Sequence, residues 1–372
     1  MPTIIFKETE ACNSNCIYCD VIARKKPLTI TEDLLHLVYE RINEYLLDNP
    51  EETFEIIWHG GEPLIVGVDF YKKVLNIAIA TCPKTKNRIK YNIQSNLTLI
   101  TQEFIDVFKN MGISMIGTSY EPYKGIRGFG VERNSDIYNR RFFNGIELLE
   151  KNEFGWGFIY VVTRKALDKP LEIFNVLSNF AGRNTFDIHP VYSYKNEDKN
   201  RVGITPKEFA DFLGIICQEW WEHKDRYPRV EPFSSYVELY TNTNKSLVCT
   251  RSNCAYTHMY IGPSGEVSHC GRASEWDDVF ETVDIKNITI AQIFDLPYRK
   301  QLAERNNILK ETECKGCKYF YICGSGCPLD GWNGTGDFMK KSMWCEKYFL
   351  ENYFEPITNL KLNSNGDGAY NE

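Results

Sequence analysis

Cys12, Cys16 and Cys19 stand at C-x3-C-x2-C spacing in the run ETEACNSNCIYCD. Three thiolates on one short loop fall one ligand short of the tetrahedral set that a structural zinc takes. They suit three corners of a cubane 4Fe–4S cluster, whose fourth iron is then open to a ligand from outside the protein. An iron held in this way can bind a small molecule and pass it an electron. A second thiol-rich region follows much later. Cys249 and Cys254 precede a C-x10-G-x4-C run from Cys254 through Gly265 to Cys270. Cys314-x2-Cys317-x5-Cys323-x3-Cys327 and a last Cys345 complete it. C-x2-C and C-x3-C hooks alone also describe a zinc ribbon. Eight thiols, however, are the number that saturates two further 4Fe–4S clusters. Cys82 and Cys217 match neither pattern. Cys217, among Leu213, Ile216 and Trp220, reads as core.

Between the two regions lie shorter signals, each at the end of an apolar run. Trp58-His59-Gly60-Gly61-Glu62-Pro63 offers two glycines that let a ligand approach the backbone, and a carboxylate that can accept from an ammonium. Gln94-Ser95-Asn96 and Ser119-Tyr120-Glu121 end two later runs. Arg127 and Arg133 precede a helical segment, and His189-Pro190-Val191-Tyr192 closes another run. A lone histidine in such a place is more often packed than catalytic, and His189 receives no role.

The segments that must position these groups alternate in period. Strand-like runs are expected at Thr3–Lys7, Phe54–His59, Ile89–Ser95, Ile113–Ser119, Trp156–Thr163 and Phe186–Pro190. Helical spacing is read over Thr31–Leu47, Phe70–Ala80, Thr101–Lys109, Tyr138–Lys151 and Leu171–Phe180. Strands alternating with helices predict a parallel sheet with right-handed crossovers, and six such units make a partial (β/α)6 barrel of the TIM type. The site of such a sheet lies at the strands' C-terminal ends, where each of these motifs falls. Thr205-Pro206-Lys207-Glu208 opens a further helix with capping-box spacing, running to about His223. Tyr260–Val267 reads as a hairpin that brings Cys254 and Cys270 together. Expected boundaries are 1–232 for the α/β domain with its bridging helix, 233–350 for a cysteine-rich domain, and 351–372 for a C-terminal segment with a mobile tail from about 362.

The chain has 372 residues, 43% of them hydrophobic, and a net charge of −7 with no basic stripe, which argues against nucleic acid as a partner. No apolar run is long enough to cross a bilayer, and no secretory signal opens the sequence. Thirteen cysteines without an export signal point to metal rather than disulfides, in an oxygen-poor cytoplasm.

The cysteine loop and the Gly60–Pro63 motif resemble the radical S-adenosylmethionine (SAM) superfamily, and the later cysteines resemble its SPASM domain. The resemblance implies that SAM chelates the open iron of the Cys12–Cys16–Cys19 cluster. Gly60, Gly61 and Glu62 would hold its amino group and Tyr18 its adenine. Ser95 and Ser119 would reach ribose and carboxylate, Arg133 (or Arg127) the carboxylate, and Tyr192 would pass near the adenine. Many relatives carry Ser-x-Asp-Gly where this chain has Ser119-Tyr120-Glu121-Pro122. Cys249, Cys254, Cys270 and Cys327 would ligate auxiliary cluster I, and Cys314, Cys317, Cys323 and Cys345 auxiliary cluster II. The cofactors are thus SAM and three 4Fe–4S clusters.

The implied chemistry is reductive cleavage of SAM to a 5′-deoxyadenosyl radical that abstracts hydrogen from a C–H bond, fed by a flavodoxin- or ferredoxin-type donor. A SPASM module implies net oxidation of a peptide or protein. The leading expectation is a maturase that installs a thioether or C–C cross-link in a ribosomally made peptide. Cys12 leaves no room for an N-terminal leader-binding domain, so a separate protein is one means of presenting that peptide. The rival is an anaerobic sulfatase maturase that makes formylglycine from Cys or Ser. The Gly324–Pro328 run supports it, and Gly271 counts against it, because that group places an aspartate base directly after the equivalent of Cys270. Asp277 and Asp278 follow at a distance, and the general base is unassigned. A non-catalytic electron-transfer protein is the different-class alternative, and tetrapyrrole decarboxylation a minor one.

Overall fold

The computed structural model describes residues 1–19, 26–192, 202–241, 254–272 and 279–362. Cys249, Asp277, Asp278 and the tail after residue 362 lie outside them. Two compact units divide the chain: Met1–Phe158 with Ala255–Lys300, and Ile159–Cys254 with Gln301–Glu372.

In the first unit, β1 (Thr3–Phe6), β2 (Phe54–Trp58), β3 (Ile89–Gln94) and β4 (Met115–Ser119) are parallel neighbours. Their register sets Ile4 beside Ile56, Ile56 beside Tyr91, and Ile93 beside Ile116. The crossovers are α1 (Glu32–Asp48), α2 (Val68–Thr81) and α3 (Gln102–Asn110). Helix α1 starts where Thr31 caps it, its Oγ1 accepting from the Leu34 N–H at 3.3 Å. Its buried stripe is Leu34, Leu35, Val38, Ile42 and Leu46, at the spacing read from the sequence. Trp58, Tyr71 and Phe108 stack edge-on beneath the sheet, with ring centroids 5.8 and 5.1 Å apart. Burying side chains of this size contributes roughly 1.5–3 kcal/mol each. Helix α4 (Ser135–Lys151) begins before the expected Tyr138, because Asn134 Oδ1 accepts from the Ile137 N–H at 3.1 Å and caps an earlier turn.

The strand β5 (Gly155–Val162) crosses the boundary between the units, and within the first unit its Gly155 N–H donates to Ser114 O at 2.9 Å. The second unit continues with α5 (Pro170–Ala181), β6 (Phe186–Pro190), α6 (Pro206–Glu222), and β7 (Val230–Glu231), which runs parallel to β6. The Thr205–Glu208 capping box of α6 is present as read. So the succession of six β/α units was legible, with ends moved by one to three residues.

The later residues differ more from expectation. The hairpin forms as β8 (His258–Ile261) against β9 (Glu266–Ser268), and β10 (Val283–Asp284) pairs with β9. Yet β8 also lies parallel to β1, Met259 beside Ile4, and so extends the first unit's sheet. Helices α7 (Phe233–Thr241), α8 (Ile290–Phe294) and α9 (Pro297–Glu311) were not anticipated. For α9 the cause is plain: its buried face includes Arg299 and Arg305 beside Tyr298, Leu302 and Leu309, and the charges mask the period. No helix of the described residues is long and apolar enough to cross a membrane.

Candidate functional site

The C-terminal ends of β1 to β4 meet around the cysteine loop. Gly61 N–H donates to Thr9 O at 3.1 Å and Glu62 N–H to Ala11 O at 2.8 Å, so the Gly60-Gly61 turn lies flat against residues 9–11. A Cβ on Gly60 would sit 2.7 Å from Thr9 O, and one on Gly61 would strike the Ala11 carbonyl. The glycines therefore admit the cysteine loop's own backbone, where the sequence suggested only a ligand. From the other side, Asn15 N–H donates to Gly128 O at 2.8 Å and Ile17 N–H to Ile126 O at 2.9 Å.

Glu62 is the hub of a buried polar network. Its carboxylate accepts from Ser95 Oγ at 2.7 Å, Asn96 N–H at 2.7 Å and Leu64 N–H at 3.1 Å. Burial pushes this carboxyl up, while these hydrogen bonds favour its charged form. Ser95 is thus occupied in orienting Glu62. Asn96 Nδ2 donates to Asn13 Oδ1 at 2.8 Å, and Asn13 Nδ2 to Thr98 Oγ1 at 2.9 Å, which ties β3 to the cysteine loop. Beside Glu62, Glu8 is fully buried, and burial, with the charge of Glu62 adding, pushes its carboxyl up to about 8.

A second network was missed in the sequence. Tyr18 Oη donates to Glu121 Oε1 at 2.6 Å, and Arg127 Nε lies 2.6 Å from Glu121 Oε2 and 2.9 Å from Tyr18 Oη. Arg127 also donates to Tyr138 Oη at 2.8 Å. Glu121 and Arg127 pin Tyr18 in place, a pairing with no spacing signature because Tyr18 lies over a hundred residues from both. Arg133 stands in the left-handed region at φ 50°, and Gly128 packs so closely on its backbone that a Cβ there would collide. Ser119 ends β4, half-buried. Tyr192 belongs to the second unit, edge-on to Trp344 at 6.1 Å. There it lines a cavity of about 280 Å³ with Phe209, Trp344, Asp187 and His189, whose Nε2 lies 2.9 Å from Asp187 Oδ2.

The thiols suit iron–sulfur clusters. Burial pushes the Cys12 thiol up to about 11 and the Cys16 thiol up to about 12. In the second unit Cys314, Cys317, Cys323 and Cys345 together line one hollow with Phe320 and Trp344. Four thiols around a shared space are the donor set of a complete cubane. Cys254 and Cys327 also lie in this unit, and Cys270 in the first. Gly271 packs on Ile5, and a Cβ there would stand 3.0 Å from Ile5 Cγ2. A side chain at this position, where sulfatase maturases are expected to carry their base, would have to displace that contact.

Residues 8–177 match the model of the radical SAM superfamily. An uncharacterized protein of Synechocystis is 33% identical over 90% of this chain and 85% of its own length. Residues 8–177 form a radical SAM domain, which makes this an enzyme of radical oxidation that binds SAM and a 4Fe–4S cluster.

Within that class its resemblance is more specific. A serine-type anaerobic sulfatase-maturating enzyme of Klebsiella aerogenes is 24% identical over 97% of this chain and 87% of that one. The cysteine-type enzyme of Clostridium novyi is 22% identical over 93% of each. Native anSMEcpe, solved with bound AdoMet and Cp18Cys peptide, has the same fold at a TM-score of 0.79 and 19% identity, covering 96% of this chain and 98% of that one. These findings overturn the expected peptide cross-linking maturase: the relatives of named activity that align nearly end to end are sulfatase-maturating enzymes. The cysteine patterns do not separate the two groups, and Gly271 was given too much weight.

Proposed function

We propose that this enzyme matures a sulfatase-type polypeptide by oxidising a Cys or Ser side chain to formylglycine. The observation that carries the reading is the near full-length match to both serine- and cysteine-type maturases, spanning the first cysteine loop and the later block. The peptide complex of anSMEcpe supports a polypeptide substrate.

Residues 1–232 are assigned to the SAM domain with its bridging helix, 233–350 to the SPASM domain and 351–372 to the C-terminal segment. Cys12, Cys16 and Cys19 hold the first cluster. Glu62 receives the SAM ammonium, with Ser95 and Asn96 holding the carboxylate in position from behind. Gly60 and Gly61 keep Glu62 against the cysteine loop. Tyr18, fixed by Glu121 and Arg127, is assigned to the adenine, as is Tyr192. Ser119 and Arg133 face the ribose and carboxylate. Cys314, Cys317, Cys323 and Cys345 hold one auxiliary cluster, and Cys249, Cys254, Cys270 and Cys327 the other, making three in all. A flavodoxin- or ferredoxin-type protein supplies the first electron. When bound, SAM and the first cluster supply a carbon radical that removes one hydrogen from the substrate's β-carbon.

The auxiliary clusters, held by the cysteines named above, would take up the second electron, and a base would take the proton. Serine then ends as the aldehyde by loss of two hydrogens. Cysteine goes through a thioaldehyde that water converts to the aldehyde, with release of hydrogen sulfide. The test is mass spectrometry on peptides carrying a central Cys or Ser, with reconstituted enzyme, SAM and dithionite. Aldehyde captured by a hydrazine probe is the expected product. A thioether or C–C cross-link without aldehyde would refute the assignment.

A further inference from the structure

Arg305 is only 3% exposed, and four of its N–H groups are directed at neutral acceptors. Nε donates to Phe338 O at 2.7 Å, Nη1 to Gly326 O at 2.8 Å and Ser325 Oγ at 3.0 Å, and Nη2 to Lys340 O at 2.5 Å. Among the described residues no carboxylate pairs with it at ion-pair distance. A guanidinium buried without a counter-ion costs several kcal/mol. The ionisable groups that act on its charge are the thiols of Cys327, Cys254 and Cys314 and the carboxyl of Asp330.

Its contacts explain why it sits there. Gly324, Ser325 and Gly326 form a left-handed run at φ 51°, 65° and 73°, and this run links Cys323 to Cys327. Arg305 grips Ser325 and Gly326 on this link, and Phe338 and Lys340 on the segment leading to Cys345. Ser342 N–H donates to Ser325 O at 2.9 Å and joins the two segments. Its hydrogen bonds therefore fix the link that joins Cys323 to Cys327, thiols assigned above to different clusters.

We propose that Arg305 is the shared counter-charge and positioning residue of the two auxiliary clusters, holding their ligand segments and raising the potential of both. The inference rests on the cluster ligands named under Proposed function. A cluster bound by four thiolates is a net anion, and reduction adds a further negative charge. A positive charge a few ångströms away stabilises the reduced form more than the oxidised one. Neutralising it lowers the potential, and a merely structural clamp would not have that effect.

The experiment is an anaerobic EPR-monitored redox titration of the reconstituted full chain, as wild type, R305K and R305Q, with iron and sulfide content measured on each. The first cluster, recognised by its response to SAM, is the internal reference. In R305Q the auxiliary signals should shift to more negative potential by about tenfold in reduced-to-oxidised ratio, or 59 mV for one electron, while R305K stays near wild type. Auxiliary clusters at unchanged potential in fully loaded R305Q overturn the proposal. Where R305Q takes up no auxiliary iron, R305K decides. Iron restored with the charge supports the counter-charge role, and iron still absent reduces Arg305 to a backbone clamp. Wild-type protein lacking auxiliary iron would instead contradict the ligand assignment itself.

Discussion

The loop at residues 7–19 and the block at 314–345 both present thiols, but different things hold them. The first leaves a parallel strand and is tied by backbone and side-chain hydrogen bonds to the ends of β2 and β3 and to residues 126–134. Its geometry follows from the sheet, and the thiols are guests on it. The second has only short elements, four-residue Phe320–Cys323 and eight-residue Pro328–Thr335, joined by a left-handed link and held by a buried arginine among carbonyls. Its four thiols line one hollow with Phe320 and Trp344. One region is held by the ends of a parallel sheet, and the other by short local elements and the hydrogen bonds of Arg305.

The largest effect should come from the first loop. Replacing Cys12, Cys16 and Cys19 together by Ala should abolish deoxyadenosine formation under dithionite, while circular dichroism stays near wild type because the sheet does not need those thiols. Stripping iron with a chelator sharpens the contrast. Hydrogen exchange at 314–345 should rise steeply, and exchange in β2 and β3 should change little. Equal loss of protection in both regions would erase the distinction. A smaller effect is expected for E62Q, which keeps the size of the side chain but removes its charge and sets an amide NH2 against one of the backbone N–H donors. SAM binding by equilibrium dialysis should weaken about tenfold or more, the worth of a charge-assisted hydrogen bond.

The smallest effect concerns Glu8. Its carboxyl holds its proton up to about 8 in the folded chain, against the ordinary value of 4.5. Between those values the unfolded chain binds fewer protons, so stability falls as pH rises. E8Q should flatten that decline and raise stability at pH 7.5 by an amount on the order of 1–3 kcal/mol, read as a higher thermal midpoint. A midpoint that drops at pH 7.5 would show that the buried carboxyl makes a hydrogen bond the amide cannot replace.

The same contrast explains what could be read from the sequence. In the first region hydrophobic period, strand ends and glycine motifs agree, and Cys12, Gly60, Glu62 and Ser95 fall together as expected. The Tyr18–Glu121–Arg127 group was invisible because its members are brought together only by the parallel sheet. In the second region the spacing of Cys314, Cys317, Cys323 and Cys345 identified one thiol cage, but α9 was lost behind Arg299 and Arg305. Function was legible to the level of chemistry and missed at the level of substrate. Gly271 was read as a departure from the sulfatase maturases, yet the chain aligns with them nearly end to end.

The most direct test is the coupling ratio in one anaerobic reaction: deoxyadenosine formed against aldehyde formed on a cysteine-containing, sulfatase-derived peptide. A ratio near unity that vanishes without Cys12, Cys16 and Cys19 is expected. Deoxyadenosine accumulating with no aldehyde on either a Cys or a Ser peptide would contradict it.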